Sequence, residues 1–204
     1  VSTAEPFGAI AFACALSLPF LLWSAVRLWR SGTGSGGAFS LSASVSAGAF
    51  WTLVFYPALM SPDSLDSWRQ ALAGRYSDWL PPINSFLMRL VILACGPRVA
   101  LYTVAQAVGF YLAVNVLIVA LTGHVMESIR GRVQLLCAAL FMAYPIGWVY
   151  SATLWKDVLL TIAGCLLCAF LVRFLRTGER AAGTCAIAFF ALALAARHNA
   201  LVLG

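Results

Sequence analysis

The feature that most constrains this chain is a series of apolar runs of membrane-crossing length. A hydrocarbon core about 30 Å thick takes about 20 apolar residues as one helix. Candidate spans recur at roughly 7–28, 41–59, 99–122, 133–152, 158–176 and 182–203. Of the 204 residues, 62% are hydrophobic and only 10% charged, where a soluble domain carries about a quarter charged. The expected fold is therefore an all-α integral membrane protein, a multi-span helical bundle forming a single transmembrane domain over 1–204. The first run, Phe7 to Val26, has no basic residues before it and exceeds a signal-peptide core of about 7–15 residues, so it reads as a membrane helix. The chain opens on Val1 and stops at Gly204 within an apolar run, which reads as the N-terminal part of something longer. The run 41–59 is the weakest, opened by Ser42, Ser44, Ser46 and Gly48, small residues that suit close helix contacts in lipid.

The net charge of +6 does not indicate nucleic acid, because the basic residues are scattered between apolar runs and form no patch. They set orientation instead. Arg27 and Arg30, then Arg130 and Arg132, then Arg173, Arg176 and Arg180 fall in three loops that the positive-inside rule places on the cytoplasmic face. The outer face then receives the N-terminus, the segment 60–98, the turn Trp155-Lys156-Asp157, and Arg197 to Asn199. This arrangement needs one crossing between 83 and 122, so Ile83 to Cys95, interrupted by Arg89, is expected to lie in the interface or re-enter. All the aspartates, Asp63, Asp66, Asp78 and Asp157, land outside, on the outer face of the cell membrane.

The external segment begins with an amphipathic helix. Ser61 caps it, Pro62 suits its first position, Asp63 complements its dipole and Gly74 suits a left-handed stop. At 100° per residue Leu65, Trp68 and Leu72 share a stripe, with Asp63, Asp66 and Gln70 opposite. Ordinary capping by Asp63 and a solvated Asp66–Arg69 pair are the structural alternative. Tyr76 and Trp79 suit an interfacial belt, and Pro81-Pro82 restart the chain. Cys14, Cys137, Cys165, Cys168 and Cys185 lie within apolar runs and Cys95 near a boundary, so Cys165-x-x-Cys168 reads as packing. His124, near an inner loop, has no assigned role. No Gly-rich phosphate loop, HExxH or Gly-x-Ser-x-Gly occurs.

The stretch from Tyr56-Pro57 through Asp63-Ser-Leu-Asp66 to Gly74, then Tyr76-Ser-Asp78-Trp79 and Pro81-Pro82, resembles the first external loop of GT-C-fold membrane glycosyltransferases. These are relatives of the protein O-mannosyltransferases and the lipid A aminoarabinose transferases. Thr153-Leu-Trp155-Lys156-Asp157-Val and Arg197-His198-Asn199 resemble later loops of a bacterial subgroup. The chain departs from the family in having Asp63-Ser64 where an Asp-Glu pair is common, and Leu80 where a His often precedes Pro-Pro.

The resemblance implies transfer of a sugar from a polyprenyl-phosphate donor in the lipid to an acceptor at the outer face. A departing phosphate calls for a cation, and an acceptor hydroxyl calls for a carboxylate to take its proton. Asp63 is then the general base, with Asp157 an orienting or metal-binding acid and Asp66 beside them. Lys156, Arg197 and His198 are candidates for the phosphate, and Asp78 and Trp79 for other substrate contacts; a divalent metal is left open. The bland alternatives are a Lys156–Asp157 boundary pair at a helix entry, a snorkelling Arg197 and a structural His198. Two other functions compete: a transporter or lipid-linked-sugar flippase with charges along a mid-membrane path, and a non-catalytic scaffold. The readings separate on whether Asp63 and Asp157 converge on one cavity.

Overall fold

The computed structural model describes residues 6–31, 36–76 and 82–196, and these form helices and connecting turns without a named strand. In order they are α1 (Phe7–Ser31), α2 (Gly36–Val54), α3 (Pro62–Ala73), α4 (Pro82–Cys95), α5 (Val99–Leu121), α6 (Glu127–Met142), α7 (Pro145–Ala152), α8 (Lys156–Thr177) and α9 (Arg180–Ala196). Segments within α1, α5 and α8 are long and apolar enough to cross a membrane, and α6 with α7 makes a fourth if the bent pair is one span. Many large apolar side chains remain bare on the outside, among them Phe20 at 66%, Leu93 at 68%, Ile187 at 72% and Leu175 at 73% exposure. In water such a surface invites association; lipid chains cover it at no cost.

The helix α5 is the centre, packed between α2 and α8, while α1 lies against α2 and α9 against α8. Small and hydroxyl residues permit the close approach. A methyl at Gly48 would sit 2.6 Å from the Val108 backbone nitrogen. Serines join the helices laterally: Ser24 and Ser42 hydroxyls are 2.9 Å apart, Ser46 donates to Ser17 at 2.8 Å, and Asn115 donates to Ser44 at 3.2 Å. In a medium that supplies no hydrogen bonds, each such contact satisfies a polar group that lipid could not.

Two runs differ from the sequence expectation. The run 41–59 is helical from Gly36 only to Val54, because Tyr56 precedes Pro57 and that position is pushed towards extended backbone. The run 133–152 is not one straight span: it breaks between α6 and α7 with a bend of 67°. Pro145 at the start of α7 has no N–H to continue the α6 ladder. The Met142 carbonyl left near the break accepts from Trp148 Nε1 at 2.6 Å. The last run is described as α9 to Ala196, and the rest of 182–203 lies outside the described residues.

The charged ends sort along the bundle. Asp157 opens α8 and Arg176 lies in its last turn, roughly 29 Å apart at 1.5 Å per residue. At the arginine end, Arg176 donates to the Ala120 carbonyl of α5 at 2.6 Å, and the Arg132 guanidinium of α6 lies 5.2 Å from the Trp29 ring centre of α1. The opposite end carries α3 and the start of α8.

Candidate functional site

Two chain segments far apart in sequence are zipped together at that end. Leu59 N–H donates to the Ala152 carbonyl at 3.1 Å and Leu154 N–H donates back to the Leu59 carbonyl at 3.1 Å, a short parallel bridge. Leu59 lies just before α3 and Leu154 just before α8, so the bridge brings both helix starts side by side. From α5, Gln106 Nε2 donates to the Thr153 carbonyl at 2.7 Å and the Ser151 carbonyl at 3.3 Å, fixing the strand-like turn from beneath. Trp155 Nε1 then donates to Ser61 Oγ at 2.9 Å.

The helix α3 has three faces. Ser64, Ser67, Trp68, Gln70 and Ala71 are buried against the protein. Trp68 and Ala71 pack with Met88, Tyr102 and Leu154, so it is an inward face, and Trp68 is not on a lipid-facing stripe with its predicted partners. Leu65 and Leu72 remain 41% and 44% exposed on an adjoining face. Asp63 and Asp66 are exposed, whereas Gln70, expected in water beside them, is buried and donates to Asp66 Oδ2 at 2.9 Å. That amide takes the place of an Asp66–Arg69 pair. The helix ends as expected, with Ser61 Oγ accepting from Ser64 N–H at 3.2 Å and Gly74 at φ 65°.

Between the starts of α3 and α8 lies a cavity of about 320 Å³ lined by Ser61, Asp63, Ser64, Ser67, Leu154, Trp155, Lys156 and Asp157. Asp63 and Asp157 therefore share one cavity with Lys156. Asp63 is exposed at its mouth, while Lys156 and Asp157 are half-buried. Among the described residues Lys156 makes no ion pair with either aspartate, so its ammonium is open to an anionic ligand while the carboxylates keep the cavity from being purely basic. Asp157 also complements the α8 dipole, so helix entry and cavity lining coincide in one residue.

Asp66 points its hydrogen bond at Gln70 and does not line the cavity. Asp78, Trp79, Arg197 and His198 lie outside the described residues. Among the described residues no group of three or more His, Cys, Asp or Glu side chains could hold a metal ion. The cavity's donor set is two carboxylates and hydroxyls, and no step below is routed through a metal. All the cysteines are free thiols, including Cys165 and Cys168 on α8.

Sequence reasoning missed Ser64, Ser67 and Trp155 as lining residues and Gln106 as their support. A signal existed for the serines: Ser61, Ser64 and Ser67 recur every third residue, which keeps them on one side of α3 over two turns. For Gln106, a lone amide in an apolar helix, the sequence offers no indication of which loop it meets. Compared with protein-family models, curated proteins and solved structures, the chain has no match.

Proposed function

We propose that this chain carries the catalytic cavity of a membrane glycosyltransferase of the GT-C type, moving a sugar from a polyprenyl-phosphate donor to an acceptor at the outer face. The observation that supports it is the shared cavity: Asp63 and Asp157, 94 positions apart, lie with Lys156 in one opening at the end of the bundle away from the arginines. A non-catalytic scaffold gives no reason for two carboxylates to converge with an ammonium that, among the described residues, has no ion-pair partner. With the arginine end inside, by the positive-inside rule, the cavity faces out.

The chemistry follows from these groups. Asp63, exposed at the mouth, takes the proton of the acceptor hydroxyl as its oxygen attacks the anomeric carbon. The bond from that carbon to the donor phosphate oxygen breaks, and the phosphate leaves with the electron pair. Lys156 neutralises the charge that develops on it. Asp157, on the cavity wall beside Lys156, orients the sugar by accepting from its hydroxyls. Asp63→Asn in the full-length protein, assayed for sugar transfer from a polyprenyl-phosphate donor, is expected to lower kcat by about 10²- to 10⁴-fold. Undiminished transfer removes Asp63 as the base.

A further inference from the structure

Ser67 differs from the two serines beside it in the cavity. A serine inside a helix ordinarily bonds back to a carbonyl three or four residues earlier, as Ser42 does to Ala38 at 2.8 Å, and Thr161 behaves likewise towards Asp157 at 2.9 Å. Ser67 does not. It is only 6% exposed, lies in the second turn of α3, and makes no hydrogen bond among the described residues, although it lines the cavity. Its neighbours are committed: Ser61 takes Trp155 Nε1 and the Ser64 N–H, and the Ser61 and Ser64 hydroxyls are 2.9 Å apart. Its oxygen is not sealed off as the partnerless hydroxyl of Ser85 is, so it opens on the cavity, where a ligand hydroxyl can pair with it.

Trp155, on the opposite wall, is 39% exposed yet held at two points, by its bond to Ser61 and by an edge-to-face contact with Tyr150 at 6.1 Å. An indole held in this way offers an apolar surface at little entropic cost. The cavity, at about 320 Å³, is near the small end of ligand sites, roughly 300–1,000 Å³, so it suits one compact polar unit and not a chain.

We infer that Ser67 and Trp155 form the sugar-binding wall of this cavity, Ser67 hydrogen-bonding a ring hydroxyl and Trp155 packing on the C–H face of the same carbohydrate. A hydroxyl ligand matches Ser67 because each can donate and accept. The carboxylates of Asp63 and Asp157 accept from the remaining hydroxyls. This assignment rests on the transferase reading for its substrate class, but it concerns binding and not transfer.

The test uses the full-length protein in detergent, probed by saturation-transfer NMR with a panel of methyl hexosides and methyl pentosides. At least one glycoside is expected to bind. Ser67→Ala is expected to weaken it about 3- to 10-fold, while the melting temperature of the unliganded protein stays level or rises, because no internal hydrogen bond is lost. Trp155→Ala is expected to abolish the signal from the sugar C–H protons, and Trp155→Phe, which keeps an aromatic face, to retain part of it. The inference is overturned if no glycoside binds, if Ser67→Ala binds as the parent does, or if that variant melts lower without ligand. Sugar binding without transfer would overturn the transferase reading alone; transfer indifferent to Ser67 and Trp155 would overturn this one alone.

Discussion

Trp155 Nε1 donates to Ser61 Oγ at 2.9 Å, joining the residue before α8 to the residue that caps α3. Ser61 thus does two jobs with one oxygen, accepting from the indole and from the Ser64 N–H. Ser61→Ala removes both. Loss of such a cap costs about 1 kcal/mol, and the freed indole adds about 0.5–1.5 kcal/mol. Thermal unfolding of the purified protein is expected to move down by that sum. Combined with Trp155→Phe, the double variant is expected to be less destabilised than the two singles added together, because both remove the same bond. Strict additivity would show that the bond contributes nothing.

Gln106 holds the cavity from a distance. Its amide is buried at 7% exposure and gives its hydrogens to the Thr153 and Ser151 carbonyls. Gln106→Leu keeps the volume but leaves those carbonyls without the donor, at a cost of about 1–3 kcal/mol. Gln106→Glu, ionised, aims acceptors at acceptors and is expected to be worse. The turn they support leads directly into Lys156 and Asp157 at the start of α8, so sugar transfer should fall further than stability accounts for, with the loss read as a lower kcat in protein that still melts cooperatively.

At Gly48 α2 lies tight against α5. A methyl there would lie 2.6 Å from Val108 N and 2.9 Å from Val108 Cα, atoms of a helix backbone that cannot swing aside. Gly48→Ala is expected to destabilise by about 1–3 kcal/mol through overpacking, despite the better helix propensity of alanine. Gly164, with nothing within 4 Å of an added Cβ, is the control. Gly164→Ala should raise the melting temperature or leave it level, and equal behaviour of the two variants would refute the close-contact account.

What could be read from the sequence and what could not divide along physical lines. Helix existence follows from composition and local caps, so α1, α5, α8 and the Ser61-to-Gly74 limits of α3 are legible one residue at a time. Breaks are also local, yet the apolar count over 133–152 outweighs the single Pro145 that bends it. Pairing across the chain is different. Nothing in Leu59 or Leu154 announces that their backbones will meet, because every residue other than proline carries the same carbonyl and N–H. The meeting of Asp63 with Asp157 depends on that bridge, and so could be posed from the sequence as a question but not answered. The inward turn of Gln70 has the same origin: the period of a helix gives relative directions, and only the neighbours α4 and Leu154 decide which direction is inside.

Arg89 interrupts the apolar run of α4, and its place in the structure makes it a capping residue for α3. Its Nη1 donates to the Ala71 carbonyl at 3.1 Å and the Leu72 carbonyl at 2.8 Å, while the Gly74 N–H takes the Gln70 carbonyl at 2.9 Å. The last turn of α3 would otherwise present these oxygens at the edge of an apolar layer, and a cation there also meets the negative end of the helix dipole. Arg89→Met preserves the aliphatic stem and its packing on α4 but leaves the carbonyls without their charged donor. The expected loss is about 1.5–3 kcal/mol, the range for hydrogen bonds to charged groups, and Arg89→Lys should recover part of it through a single donor. Gly74→Ala attacks the same turn by backbone strain, about 1–2 kcal/mol at φ 65°. Hydrogen exchange separates this local effect from global unfolding: in Arg89→Met the amides of α3 near Ala71 should exchange faster while those of α5 keep their protection. Equal acceleration in α5 would mean that Arg89 supports the whole bundle and not the C-terminal turn of the helix that carries Asp63.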